Sequence, residues 1–172
     1  NGKNILILSV GALSDSYFRK TLIEKARKSG RKIHIPSGAI MGLDNLKVGQ
    51  ISRINSVLLK TTKSPKSLGM QVATRTLVFN GKANECIKQF PKNINVSVAL
   101  ALAVDHDVDV ELWADPEVDR NIHDIHVLGE FGEVSIRVVN QPSPDNPATS
   151  YLAALSVLSL LKNLDNPLVI GS

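Results

Sequence analysis

Three stretches in the second half of the chain alternate apolar and polar residues with a period of two. In residues 108–113, Val108, Val110 and Leu112 fall on one side and Asp109 and Glu111 on the other. In residues 134–139, Val134, Ile136 and Val138 oppose Ser135 and Arg137. Residues 121–128, NIHDIHVL, lie between them, and a GEFGE turn leads into the last stretch. Successive side chains of a strand point to opposite faces. The pattern therefore predicts an antiparallel sheet with one covered face and one wet face.

The same alternation separates the two histidines of NIHDIH. Residues three apart on a strand point oppositely, so His123 and His126 cannot bind one metal ion. His126 falls with Asp124 on the wet face, beside Ser135 and Arg137. His123 falls with Asn121, Ile125 and Val127 on the covered face. There it is either a satisfied core residue or a general acid/base, since imidazole titrates near neutral pH and burial tunes it. The pattern leaves both open. His34 and His106 stand in no zinc-like spacing with Cys86, and no metal site is expected.

The first 35 residues read differently. Residues 4–10 form a continuous apolar run, as in a strand buried on both faces. Ser14 can cap a helix running to about Ser29, with Gly30 as its stop. Residues 32–35 form a second short strand. Strand, helix and strand make the unit of a parallel sheet and fit the end of a doubly wound domain. The turn PSGAIMGLD (36–44) follows, with glycines at 38 and 42. It is no Walker loop, and GxGxxG occurs nowhere in the chain. It is either a plain tight turn or a ligand loop at the carboxyl end of a strand.

Beyond it the pattern predicts a short helix over 43–48, a strand over 51–60, a loop over 61–69, a strand over 72–79 and a helix over 83–90. A small-residue apolar helix covers 94–104. Asn93 or Asn95 can cap it, and the Asn93 amide could instead pair with an amide-bearing ligand. The last helix starts at Asn146-Pro147 and runs to about Leu161. It is apolar nearly all round and must be buried, in a core or between subunits. NPATSY (146–151) places hydroxyls and backbone N–H groups at its start, which suits capping or a carboxylate. The fold class is α/β to α+β: an α/β piece over residues 1–35, then an α+β domain over 36–172.

Composition limits the partners. Of 172 residues, 43% are hydrophobic and 21% charged, which suits an ordered globular chain. The net charge of +4 is dispersed, with thickenings at 27–32 and 60–66. Only one aromatic lies near these, so the stacking platform of a nucleic-acid binder is missing. A single cysteine excludes an intrachain disulfide and points to a reducing cytoplasm. Cys86 lies in an amphipathic ECIKQF helix and is expected to be buried and inert. Residues 151–161 are too short and too serine-rich for a membrane span. The chain opens without Met, inside a strand-like run, as a fragment or processed chain would.

Four strings taken together resemble one family. IPSGAIMGLD (35–44), FPKNINVSVALALA (90–103), ADPEVDRNIHDI (114–125) and NPATSYLAALSVLSLL (146–161) are similar to the archaeal and bacterial L-aspartate dehydrogenases. The resemblance implies that residues 1–35 are the C-terminal part of a Rossmann-type cofactor domain. It implies that 36–172 form a mixed-sheet catalytic and dimerisation domain with helices on one face. It implies NAD(P)-dependent oxidative deamination of L-aspartate to iminoaspartate, feeding NAD biosynthesis in a cytoplasmic homodimer. By motif, His123 matches the family's active-site histidine, and Ala39 and Asn93 match its nicotinamide-side contacts. Thr149 and Ser150 are candidate helpers for the substrate carboxylates. The family's glycine fingerprint is absent, so this chain alone is expected to be inactive. The alternatives are the substrate domain of a homoserine dehydrogenase-like enzyme or a non-catalytic oligomerisation module.

Overall fold

A computed structural model describes residues 2–90, 95–146 and 149–171. Strand β1 (Ile5–Leu6) and strand β2 (Ile33–His34) pair in parallel, joined through a 3-10 turn (Val10–Ser14) and helix α1 (Ser16–Lys28). The parallel unit agrees with the sequence reading. The helix cap lies one residue later than expected, because the Asp15 carboxylate accepts from the Phe18 N–H at 2.8 Å. Ile5 and Leu8 are exposed, contrary to the expectation of a strand buried on both faces. A sheet of two short strands leaves much of its apolar surface uncovered.

Helix α2 (Leu43–Leu46) and a 3-10 turn (Lys47–Gln50) lead to strand β3 (Ile54–Lys63). Short helix α3 (Pro65–Leu68), strand β4 (Thr76–Lys82), helix α4 (Ala83–Gln89) and helix α5 (Asn95–Val104) follow. Strands β5 (Asp109–Ala114), β6 (Ile122–Gly129) and β7 (Gly132–Val139) precede helix α6 (Tyr151–Asn163). The five longer strands form one mixed sheet in the order β4-β5-β3-β6-β7. Among the described residues of this sheet, β3 and β5 pair in parallel and the other neighbours pair antiparallel.

Strand β3 extends three residues beyond its expected end, through Thr61, Thr62 and Lys63. These polar residues read as loop, but β3 is the central strand and β5 and β6 pair with it on both sides. Two β-branched threonines suit that position. Strand β4 is likewise displaced, to Lys82. Its pairing with β5 carries it there, and Lys82 Nζ meets Asp109 Oδ1 at 2.7 Å across the strands.

The covered face alternates as expected. Val110, Leu112, His123, Ile125 and Val127 are buried, while His126 is exposed. On the opposite face His126 Nδ1 lies 3.0 Å from Ser135 Oγ, and Arg137 donates to Asp124 at 2.9 Å. Helix α5 covers the buried face through Leu100 and Val104. Its Val98 and Ala99 pack against Val10 and Leu13 of the N-terminal piece. Burial on two sides explains why this helix is apolar nearly all round. Cys86 is buried, and burial pushes its thiol pKa up.

Helix α6 begins at Tyr151, after an isolated bridge between Pro142 and Ser150; of the expected start at Asn146-Pro147, Pro147 lies outside the described residues. Within this chain it is not buried: Ser156 is its one buried residue, and Tyr151, Leu155, Leu158 and Leu161 are exposed. Of the two burial sites expected for it, the chain's own core is not the one. Among the described residues no helix is long and apolar enough to cross a membrane.

Candidate functional site

His123 occupies its place for a local reason and a distant one. Alternation along β6 turns its ring to the covered face. Pairing of β6 with β3 then sets it opposite Thr61. The two side chains are hydrogen-bonded, His123 Nδ1 to Thr61 Oγ1, at 3.0 Å. A hydroxyl can donate or accept, so Thr61 suits either tautomer of the ring. The ring is 4% exposed. Burial, and after it the positive charge of Lys63, push its pKa from 6.5 down to about 3. Lys63 lies two residues beyond Thr61, on the same face of β3. Burial lowers the pKa of its amine in turn.

His123 and Lys63 line a cavity of about 250 Å³. Leu8, Ser9 and Val10, two to four residues after β1, form one part of its wall, and residues 36–39, in the loop after β2, form another. These are the carboxyl ends of two parallel strands, where ligands of α/β sheets lie. Asn95 and Val96 at the start of α5 and Thr149, Ser150 and Ala153 around the start of α6 close it. Neither aspartate nor glutamate is among the described lining residues, and Lys63 is the one Lys or Arg there.

The loop after β2 is held by buried polar groups. Asn140, directly after β7 and 3% exposed, donates from Nδ2 to the Ala39 carbonyl at 2.9 Å. Its Oδ1 accepts from the Ser150 hydroxyl. The Gly38 N–H donates to Ser156 Oγ at 3.1 Å. Gly38 has φ +67°, and a Cβ built there meets nothing within 4 Å. Glycine is thus required by backbone conformation there, and open space lies beside the backbone. Replacing Asn140 with Ala is expected to lower stability by about 2 kcal/mol, since two hydrogen-bonded groups lose a buried partner. A urea titration of both proteins measures this, and an unchanged midpoint would contradict it.

Of the residues expected at the site, His123 and Ala39 line this one cavity, together with Thr149 and Ser150. Asn93 lies outside the described residues. Lys63, Thr61 and Asn140 were missed. The first two fell in a stretch read as loop, where the run of two β-branched threonines was the available signal for strand. Asn140 carries no local signal, because both its partners are distant in sequence or beyond a turn. The two NIHDIH histidines lie on opposite faces of the sheet. A larger cavity of about 450 Å³ adjoins behind Pro36 and Ser37, lined by Asp44, Lys47 and Gln50 among others. None of the expected site residues is among the described residues that line it.

The family described as aspartate dehydrogenase, C-terminal, matches residues 44–164. An L-aspartate dehydrogenase of Methanospirillum hungatei is 86% identical over 172 residues, covering 100% of this chain and 68% of its own length. That of Methanothermobacter thermautotrophicus is 47% identical over 171 residues, covering 99% of this chain and 66% of its own. The crystal structure of aspartate dehydrogenase from Thermotoga maritima matches with a TM-score of 0.85 at 34% identity, over 99% of this chain and 69% of that one. The chain thus spans about two thirds of the length of the relatives it matches.

Proposed function

Since the chain belongs to the aspartate dehydrogenase family, we propose that its cavity is the substrate side of an active site that oxidatively deaminates L-aspartate to iminoaspartate with a nicotinamide cofactor. The observation that carries this reading is that His123 and the Ala39 loop, far apart in sequence, line one cavity at the carboxyl ends of parallel strands. The cofactor, when bound, supplies the hydride acceptor. The residues present fit a nicotinamide end: an open glycine backbone at Gly38, the Ala39 loop, and uncharged amide side chains at Asn95 and Asn121. Ala39 and Asn93 are assigned to that end on the family motif. The cofactor is NAD or NADP.

His123 is assigned the proton transfers. Oxidation of an amine needs a neutral nitrogen, and hydrolysis of the imine needs protons delivered and removed. With Nδ1 donating to Thr61, Nε2 keeps its lone pair and acts as base. With the Thr61 hydroxyl donating to Nδ1, Nε2 carries the proton. Burial of the ring excludes bulk water from this step.

The parallel β1 and β2 support reading residues 1–35 as the tail of a Rossmann-type domain, with 36–172 as the catalytic and dimerisation domain. The exposed leucines of α6 support a homodimer. A buried free cysteine supports a cytoplasmic setting, and the product fits NAD biosynthesis. The test is a substrate panel on the full-length protein with NAD and with NADP, following reduced nicotinamide by absorbance. L-Aspartate is expected to support turnover and L-homoserine not. Preference for homoserine would move the assignment to a homoserine dehydrogenase-like enzyme.

A further inference from the structure

Resting on that reading, we propose that Lys63 binds a carboxylate of the dicarboxylic substrate beside His123. Lys63 ends the central strand β3, on the face that carries Thr61, and so reaches the cavity from the same side as the histidine. It is the one charged side chain among the described residues that line this cavity. The substrate brings two negative charges and requires cationic or N–H donors. A partly buried ammonium in a small cavity interacts with an anion more strongly than one in water.

Carboxylate binding at Lys63 would also act on the histidine. Thr61 of β3, bonded to the ring, is neutral, and so are Asn121 just before β6, Ser9 and Ser37 from the two loops, Asn95 from α5 and Ser150 before α6, which line the same cavity. Lys63 is the charge that opposes protonation of His123, in addition to burial. A carboxylate on Lys63 offsets that charge. The ring then becomes a better proton acceptor once substrate is in place, and a poorer one while the cavity is empty. A base that titrates far below neutral pH is weak, so this coupling has a use in the reaction.

Succinate is the probe, because it has both carboxylates and no amine to oxidise. The 172-residue chain and its Lys63→Met and Lys63→Arg variants are titrated with succinate, following the His123 ring resonances by NMR. The unmodified chain is expected to bind succinate and its His123 ring to titrate at higher pH in the complex. Lys63→Met should weaken binding by about 10- to 100-fold, the value of one charge-assisted hydrogen bond. Lys63→Arg should retain most of the affinity, and uncharged succinamide should bind the unmodified chain and the Met variant alike. A Met variant that binds succinate as tightly as the unmodified chain overturns the proposal, as does an unmodified chain that does not bind it. Failure of the dehydrogenase reading looks different: the full-length protein would not oxidise L-aspartate, whatever succinate does. Failure of the Lys63 assignment alone would leave oxidation intact, with KM for L-aspartate unchanged in the Met variant.

Discussion

Replacing His123 with Asn in the full-length protein is expected to lower kcat for L-aspartate by about 10²–10⁴-fold, the usual contribution of a positioned acid/base. The reasons are geometric. The ring lines the cavity and is tied by Nδ1 to Thr61, which leaves one nitrogen for the substrate. Asparagine is smaller and polar and can still bond Thr61, so the fold should survive, but its amide does not take a proton near neutral pH. Because the histidine acts in the chemical step, kcat should fall much more than KM changes. A variant with unchanged kcat would remove His123 from the mechanism and return it to the role of a satisfied core residue.

Acid is expected to destabilise the chain through the same side chain. In the folded state the His123 pKa is pushed from 6.5 to about 3 by burial and by Lys63. In the unfolded state the ring titrates normally. Between these values the unfolded chain binds more protons than the folded one, so stability falls as pH falls. The contribution is fully present above pH 6.5 and is lost progressively towards pH 3. The upper bound of this loss is about 5 kcal/mol, since a tenfold change in proton affinity is worth about 1.4 kcal/mol. Carboxylates titrate in the same window, so the informative quantity is the difference between proteins. Urea unfolding of the chain and its His123→Asn variant from about pH 7 to about pH 4 measures it. The variant should lose less stability on acidification, and equal slopes would show that the ring is not held neutral by its site.

The two expectations rest on different kinds of information. That His123 faces the covered side of the sheet was legible in NIHDIHVL, because alternation is a property of a few consecutive residues. The same pattern left core residue and catalyst equally open. The family resemblance favoured the catalyst, and the cavity beside the Ala39 loop supports that choice. The covered faces of β5 and β6, the parallel strand-helix-strand unit and the small-residue helix α5 were legible in the same way.

Lys63 was not legible, although it stands in plain sequence. Thr61, Thr62 and Lys63 are polar, and polar residues next to a Ser-Pro pair read as loop. They belong to a strand because β5 supplies partners on one side and β6 on the other. Likewise, Asn140 acquires its role only when the Ala39 carbonyl and the Ser150 hydroxyl arrive beside it. Helix α6 taught the reverse lesson. Its composition demanded burial, and the fold of one chain leaves Leu155, Leu158 and Leu161 exposed.

The order of residues in this chain determined which face the alternating strand side chains take, where chain direction breaks at Gly38 and Gly42, and that residues 94–104 form a small-residue apolar helix. Those are local properties, set by backbone geometry and by the period of apolar residues. Tertiary structure alone decided that the end of β3, the start of β6, the loop after β2 and the start of α6 meet around one cavity. That meeting depends on a sheet whose central strand pairs with β5 in parallel and β6 antiparallel, both far away along the chain. Such pairing is chosen by the free energy of the whole sheet and core, and no short window of sequence carries it.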